Sequence, residues 1–94
     1  MNALEIIKNY YDCFNRKDWE GMIALVAPDL RHEVNQGEVR LGVEKYREFL
    51  QLMDECYEEN LTDLVYMSDA TGARFACEFT VHGIYKKGDE PPAR

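Results

Sequence analysis

The hydrophobic period of this chain changes for good near residue 60, after three helical stripes interrupted only by a short hairpin pattern, and that change limits the fold more than any other feature. Before it, apolar residues recur at three- and four-residue steps, the period of amphipathic helices. Leu4, Ile7, Tyr11 and Phe14 make one stripe, widened by Tyr10 and Cys13. Trp19, Met22, Ile23, Leu25 and Val26 make a second, shorter one. Tyr46, Phe49, Leu50, Met53 and Tyr57 make the clearest, opposite Glu44, Lys45, Glu48, Gln51 and Glu55. After the change, Phe75, Cys77, Phe79, Val81 and Tyr85 share one face of a strand pattern, with Arg74, Glu78, Thr80 and His82 on the other.

Local signals set the boundaries. Asn2 and Glu5 have capping spacing, Asp18 is a good cap, and Pro28 disfavours helix in the residue before it. Gln36-Gly37 reads as a hairpin turn, Gly42 as a reset, and Asp69-Ala70-Thr71-Gly72 as a second turn. These marks predict helices over 3–15, 18–26 and 43–58, and strands over 30–35, 38–41, 61–67 and 73–86. Gly83 predicts a bulge or bend, and the segment from Lys87 to Arg94 reads as loose. The whole is an α+β domain with three helices covering one face of a curved sheet.

Two features stand outside this pattern. Asp54, Glu55, Glu58 and Glu59 crowd the predicted end of the third helix, where the macrodipole disfavours anions. At helical spacing Asp54 repels Glu58, and Glu55 repels Glu59. Solvation of these carboxylates is the expectation, and no metal or cofactor is expected. The three cysteines, Cys13, Cys56 and Cys77, lie far apart without ligand spacing and read as reduced thiols of a cytoplasmic protein. Eighteen acidic against 11 basic residues give a net charge of −7, which argues against a nucleic-acid partner. No apolar run approaches membrane-spanning length, so no membrane partner is expected.

The run from Tyr10 to Met22, with Tyr10-Tyr11-Asp12-Cys13-Phe14-Asn15-Arg16-Lys17-Asp18-Trp19 at its centre, resembles the opening of SnoaL-like domains. These are ketosteroid-isomerase-related members of the nuclear transport factor 2-like superfamily. Ala27-Pro28-Asp29 leading into a strand, His32-Glu33-Val34-Asn35-Gln36-Gly37, and Gly42 before an aromatic-rich helix extend the resemblance over essentially all 94 residues. It implies a cone-like, mixed or antiparallel sheet enclosing an apolar pocket. It implies too that the single domain, 1–94, is incomplete at its C-terminus and lacks the family's last two strands.

The isomerase mechanism uses a carboxylate base, with a tyrosine and a neutral carboxylic acid as oxyanion donors. Tyr10 falls where the resemblance places the tyrosine donor; read from the residues alone, it is equally a core tyrosine whose hydroxyl reaches the surface. Val34 falls at the base position and cannot move a proton. His32, two residues earlier on the same strand face, is a candidate for that role at neutral pH. Alternatively it is a histidine hydrogen-bonded at the pocket edge, and both readings stay open. Glu33 and Asn35 point to the other face, and His82 reads as a surface residue without an evident partner. Trp19, Val34, Phe49, Met53, Phe75 and Phe79 are the expected ligand-binding wall, or simply core.

Two functions follow. One is binding, with isomerase- or cyclase-type proton transfer, of a small apolar carbonyl compound of polyketide- or steroid-like kind. The other is a non-catalytic ligand-binding or dimerisation module. With two strands missing, sheet edges would stay unpaired, so a homodimer or strand-exchanged oligomer is the expected assembly.

Overall fold

A computed structural model describes residues 1–34 and 37–87. Its first helix, α1 (Ala3–Asn15), starts where Asn2 caps it: the Glu5 amide donates to Asn2 Oδ1 at 2.9 Å. After Asn15 the chain turns sharply, with Lys17 at φ 63. Asp18 then caps α2 (Trp19–Ile23) by accepting from the Gly21 amide at 2.9 Å. This helix is shorter than the expected 18–26. The amides of Leu25 and Val26 reach carbonyls only three residues back, so the apolar pattern continues as a tightened turn.

Strands β1 (Arg31–Glu33) and β2 (Val39–Leu41) pair antiparallel, His32 opposite Arg40. Asn35 and Gln36, and with them part of the expected turn, lie outside the described residues. Gly42, at φ 88, starts α3 (Val43–Cys56), and its amide donates to the Leu30 carbonyl at 2.7 Å. A left-handed residue is cheapest as glycine.

The third helix ends two residues before the expected 58, and strand β3 (Tyr57–Ser68) begins at once. Tyr57, Glu59 and Leu61 are buried while Glu58 and Asn60 are exposed. Pairing of Tyr57 with Tyr85 and of Leu61 with Val81 sets this alternation, which no local signal announces. Glu58 and Glu59 are therefore strand residues, and the expected helical repulsions with Asp54 and Glu55 do not arise. Nor are all four carboxylates solvated, because Glu59 is only 8 % exposed.

Strand β4 (Phe75–Tyr85) returns antiparallel to β3. The expected bulge at Gly83 is not there: Gly83 pairs in register with Glu59. The register shifts on the other strand, between Thr62 and Val65, where Asp63 adopts φ 57. Two residues there oppose Phe79 alone, an arrangement that bends and twists the bulged strand. The expected loose tail falls almost wholly outside the described residues.

The α+β class, the three helices and the antiparallel pairing are as the sequence reading predicts. Among the described residues the strands form two separate hairpins, β1–β2 and β3–β4, and no closed barrel. Cys13, Met22, Ile23, Tyr46 and Leu50 form the core where the helices meet. Tyr11 carries α1 onto the long hairpin, its ring 5.5 Å from Phe79 and 6.3 Å from Tyr66. Among the described residues no helix is long and apolar enough to cross a membrane.

Candidate functional site

Between the helices and the inner faces of both hairpins lies a cavity of about 230 Å³. Tyr10, His32, Trp19, Val34, Phe49, Met53 and Phe79 all line it. Phe75 does not; it pairs with Ser68 at the far end of the long hairpin, beyond the cavity's reach.

Tyr10 projects from the third turn of α1, and its hydroxyl is hydrogen-bonded to that of Tyr46 on α3. Tyr46 is 1 % exposed. Either hydroxyl can donate in this bond; with the deeply buried Tyr46 as donor, the Tyr10 proton is left for another acceptor. Burial raises both phenols above their ordinary acidity range. The shared bond raises Tyr46 further and opposes the rise at Tyr10.

His32 reaches the same cavity from β1. Its ring lies 4.8 Å from that of Tyr46 and 4.7 Å from that of Phe49. Burial, and then the nearby Arg40 charge, lower its pKa, so the imidazole is neutral at pH 7. Its Nδ1 is buried and has no hydrogen-bond partner among the described residues. A buried ring nitrogen without a partner is costly, and a ligand hydrogen bond would remove that cost. By contrast His82 is exposed and does have a partner, Thr62 Oγ1 at 2.8 Å. Glu33, facing away from the cavity, forms an exposed ion pair with Arg31 at 3.3 Å; Asn35 lies outside the described residues.

Sequence reasoning missed several polar groups of the wall, namely Tyr11, Lys17, Tyr46, Asp54, Tyr57 and Glu59. Tyr46 reads as one more member of an apolar stripe, although a tyrosine inside such a stripe needs a polar partner. Glu59 reads as part of a solvated acidic run, yet it lines the cavity with its neighbours Tyr57 and Leu61. Among the described residues no group of three or more His, Cys, Asp or Glu comes together to hold a metal ion.

This arrangement of helices and hairpins recurs in known proteins. The profile of the SnoaL-like domain matches residues 7–94. The chain belongs to the SnoaL-like domain family.

Among solved structures, it is similar to a candidate polyketide cyclase of Pseudomonas putida KT2440. The two share 43% identity over all of this chain and 72% of that one, with a TM-score of 0.90. It is also similar to a candidate polyketide cyclase of Xanthomonas campestris pv. campestris, with 40% identity and a TM-score of 0.88. That match covers 94% of this chain but 65% of the other, so this chain spans less than two thirds of that protein. A candidate ketosteroid isomerase of Kribbella flavida, 22% identical over 96% of this chain and 82% of that one, has a TM-score of 0.51 and shares the fold. No curated protein matches the chain.

Proposed function

We propose that this SnoaL-like domain binds a small apolar carbonyl compound in its cavity and moves a proton next to that carbonyl, as isomerases and cyclases do. The observation that carries this reading is the meeting of the Tyr10 hydroxyl, hydrogen-bonded to Tyr46, with His32 in one apolar cavity. A carbonyl oxygen accepting from Tyr10 would gain negative charge when the neighbouring carbon loses its proton. A hydrogen bond from Tyr46 lets Tyr10 meet that charge more strongly. His32 is neutral and so is in the form that accepts a proton. The candidate cyclases from Pseudomonas and Xanthomonas support a polyketide-like substrate. The cavity is smaller than the roughly 300–1,000 Å³ of most ligand pockets, which favours one or two fused rings over a four-ring skeleton. The three cysteines are unpaired, which supports a reducing, cytoplasmic setting.

Titration with α-naphthol, whose phenolate resembles a ring enolate, tests the site through the fluorescence of the single tryptophan, Trp19. Saturable binding is expected. Tyr10→Phe should weaken it about tenfold or more, the effect of losing a hydrogen bond to a charged oxygen. His32→Ala should weaken binding more than His82→Ala. No binding, or equal effects of the two histidine changes, would overturn the reading.

A second reading, assembly without turnover, has one observation in its favour. Among the described residues β4 pairs only with β3, while Val81 and Ile84 on it are 44% and 66% exposed. Such an edge is a template for a second copy. Light scattering at low micromolar concentration distinguishes a dimer or strand-exchanged oligomer from a monomer, and a monomer removes this reading.

A further inference from the structure

Three consecutive inward positions of β3, Tyr57, Glu59 and Leu61, form one strip of the cavity wall, and all three are less than a tenth exposed. The middle one is a carboxylate, the only buried charged residue among those described. Removing a carboxylate from water is costly, and a wall position that served only packing would take a second leucine.

The surroundings of Glu59 are shaped to hold it. On the facing strand its partner is Gly83. A Cβ at Gly83 would lie 3.3 Å from Glu59 Cγ, a tight contact from which the side chain would have to give by a few tenths of an ångström, and 3.4 Å from Oε2. The missing side chain at Gly83 is what lets the Glu59 chain lie across the hairpin. Glycine within a strand weakens it, so its presence here calls for a local reason. From the helical layer, Lys17 Nζ donates to the Glu59 carbonyl, while the same ammonium lies over the rings of Phe14 and Trp19. The backbone of residue 59 is held from one side, and room for its carboxylate is made on the other.

We propose that Glu59 is the proton-transfer carboxylate of this cavity and supplies what the first strand, with Val34, lacks. The inference rests on the carbonyl-binding reading above and assigns the proton to Glu59 in place of His32, whose buried Nδ1 is left to hydrogen-bond the ligand. Glu59 takes the proton from the carbon beside the substrate carbonyl. The C–H electron pair becomes the new carbon–carbon double bond, and the carbonyl π pair moves onto the oxygen held by Tyr10. The proton bonds to a Glu59 oxygen, leaving a neutral acid. Its return, to the same carbon or to a conjugated one, restores the carbonyl and the carboxylate. No oxidant or further reactant is needed.

The test is exchange of the α-protons of α-tetralone in deuterated buffer, followed by proton NMR, beside α-naphthol binding. The wild type is expected to speed exchange above buffer. Glu59→Gln keeps the shape of the side chain and should lower catalysed exchange by about 10²-fold or more, with α-naphthol affinity within about threefold. Gly83→Ala keeps the carboxylate but displaces it, and should lower exchange by about fivefold or more. If Glu59→Gln does not fold, as read by circular dichroism, Gly83→Ala decides alone. Undiminished exchange in the folded variants would overturn the proposal and leave the binding reading standing. Wild type that binds α-naphthol without speeding exchange would do the same. Wild type that does not bind α-naphthol would remove both.

Discussion

Asn15, the last residue of α1, is paired with the backbone of Leu61 as a neighbouring strand would be. The Leu61 amide donates to Asn15 Oδ1 at 2.8 Å, and Asn15 Nδ2 donates to the Leu61 carbonyl at 3.0 Å. Two residues earlier on β3, Lys17 binds the Glu59 carbonyl. Side chains of the α1–α2 turn thus close the edge of β3 that β4 does not cover. That edge carries the cavity wall, so the turn and the site are mechanically one unit.

Asn15→Ala should be destabilising. It leaves a donor and an acceptor of a buried residue without partners, at a cost of about 1–3 kcal/mol. Urea unfolding should show the drop in midpoint. Asn15→Asp should also destabilise, since its carboxylate keeps the acceptor for the Leu61 amide but faces the Leu61 carbonyl without a proton to give. An unchanged midpoint for both would mean that the edge is held by other contacts.

Gly21→Ala sets helix propensity against packing. In a helix, alanine is favoured over glycine by about 1 kcal/mol. Here, however, the added Cβ would come within 2.4 Å of Asp18 Oδ2 and 2.9 Å of Cys13 Sγ. Relief requires moving the carboxylate that caps α2 or the buried thiol beside it. Loss of a cap costs about 1 kcal/mol and overpacking about 1–3 kcal/mol. The clash should win, and the variant should unfold at lower urea than the wild type. A rise in stability would show that Asp18 can turn aside without loss of the cap.

What the sequence discloses here follows the range of the interactions involved. Capping by Asn2 and by Asp18, the stripes of α1 and α3, and the Asp69–Gly72 turn all depend on neighbours within a few residues, and each is legible. The end of α3 is not, because Tyr57 is as good at the end of a helical stripe as at the start of a strand. Only its distant partner Tyr85 decides. The same holds for Asp63, which takes a left-handed conformation without being glycine, and for Gly83, whose partner Glu59 lies in another strand. Lys17 is a further case: its φ of 63 would suit glycine, but its ammonium holds the Glu59 carbonyl. Among cavity residues, Tyr10 and His32 were legible through family resemblance and strand alternation. Tyr46 and Glu59 were hidden by the bland patterns around them.

His32 should make stability depend on mild acid. Its folded-state pKa lies below the ordinary 6.5, through burial and then the charge of Arg40. Above about pH 6.5 both the folded and unfolded chains hold a neutral imidazole. As pH falls below that value the unfolded chain takes up a proton first, so stability is lost on the way down toward the folded pKa. Between about pH 7.5 and about pH 5.5 the wild type should lose more thermal stability than His32→Gln, which has nothing to titrate there. Parallel curves for the two proteins would mean that the imidazole titrates alike in both states.

The tyrosines impose the opposite limit. Burial, with the neighbouring Cys77, Tyr10 and Tyr66, pushes the Tyr11 phenol up from 10.0 to about 12, and burial raises Tyr10 and Tyr46 as well. Below pH 10 both states hold protonated phenols, and their contribution to stability is fully present. Above it the unfolded chain releases its protons while the folded chain keeps them, so stability falls as pH rises toward the folded values. Thermal unfolding should therefore show a decline beginning near pH 10, ahead of the appearance of phenolate absorbance from the folded protein. Tyr46→Phe removes one raised phenol and should make that decline shallower. It should also delay ionisation of Tyr10, whose phenolate loses the hydrogen bond that Tyr46 donates. If Tyr10 instead ionised earlier in Tyr46→Phe, the bond would run the other way, from Tyr10 to Tyr46. The proton assigned to the ligand's carbonyl would then be spent inside the pair.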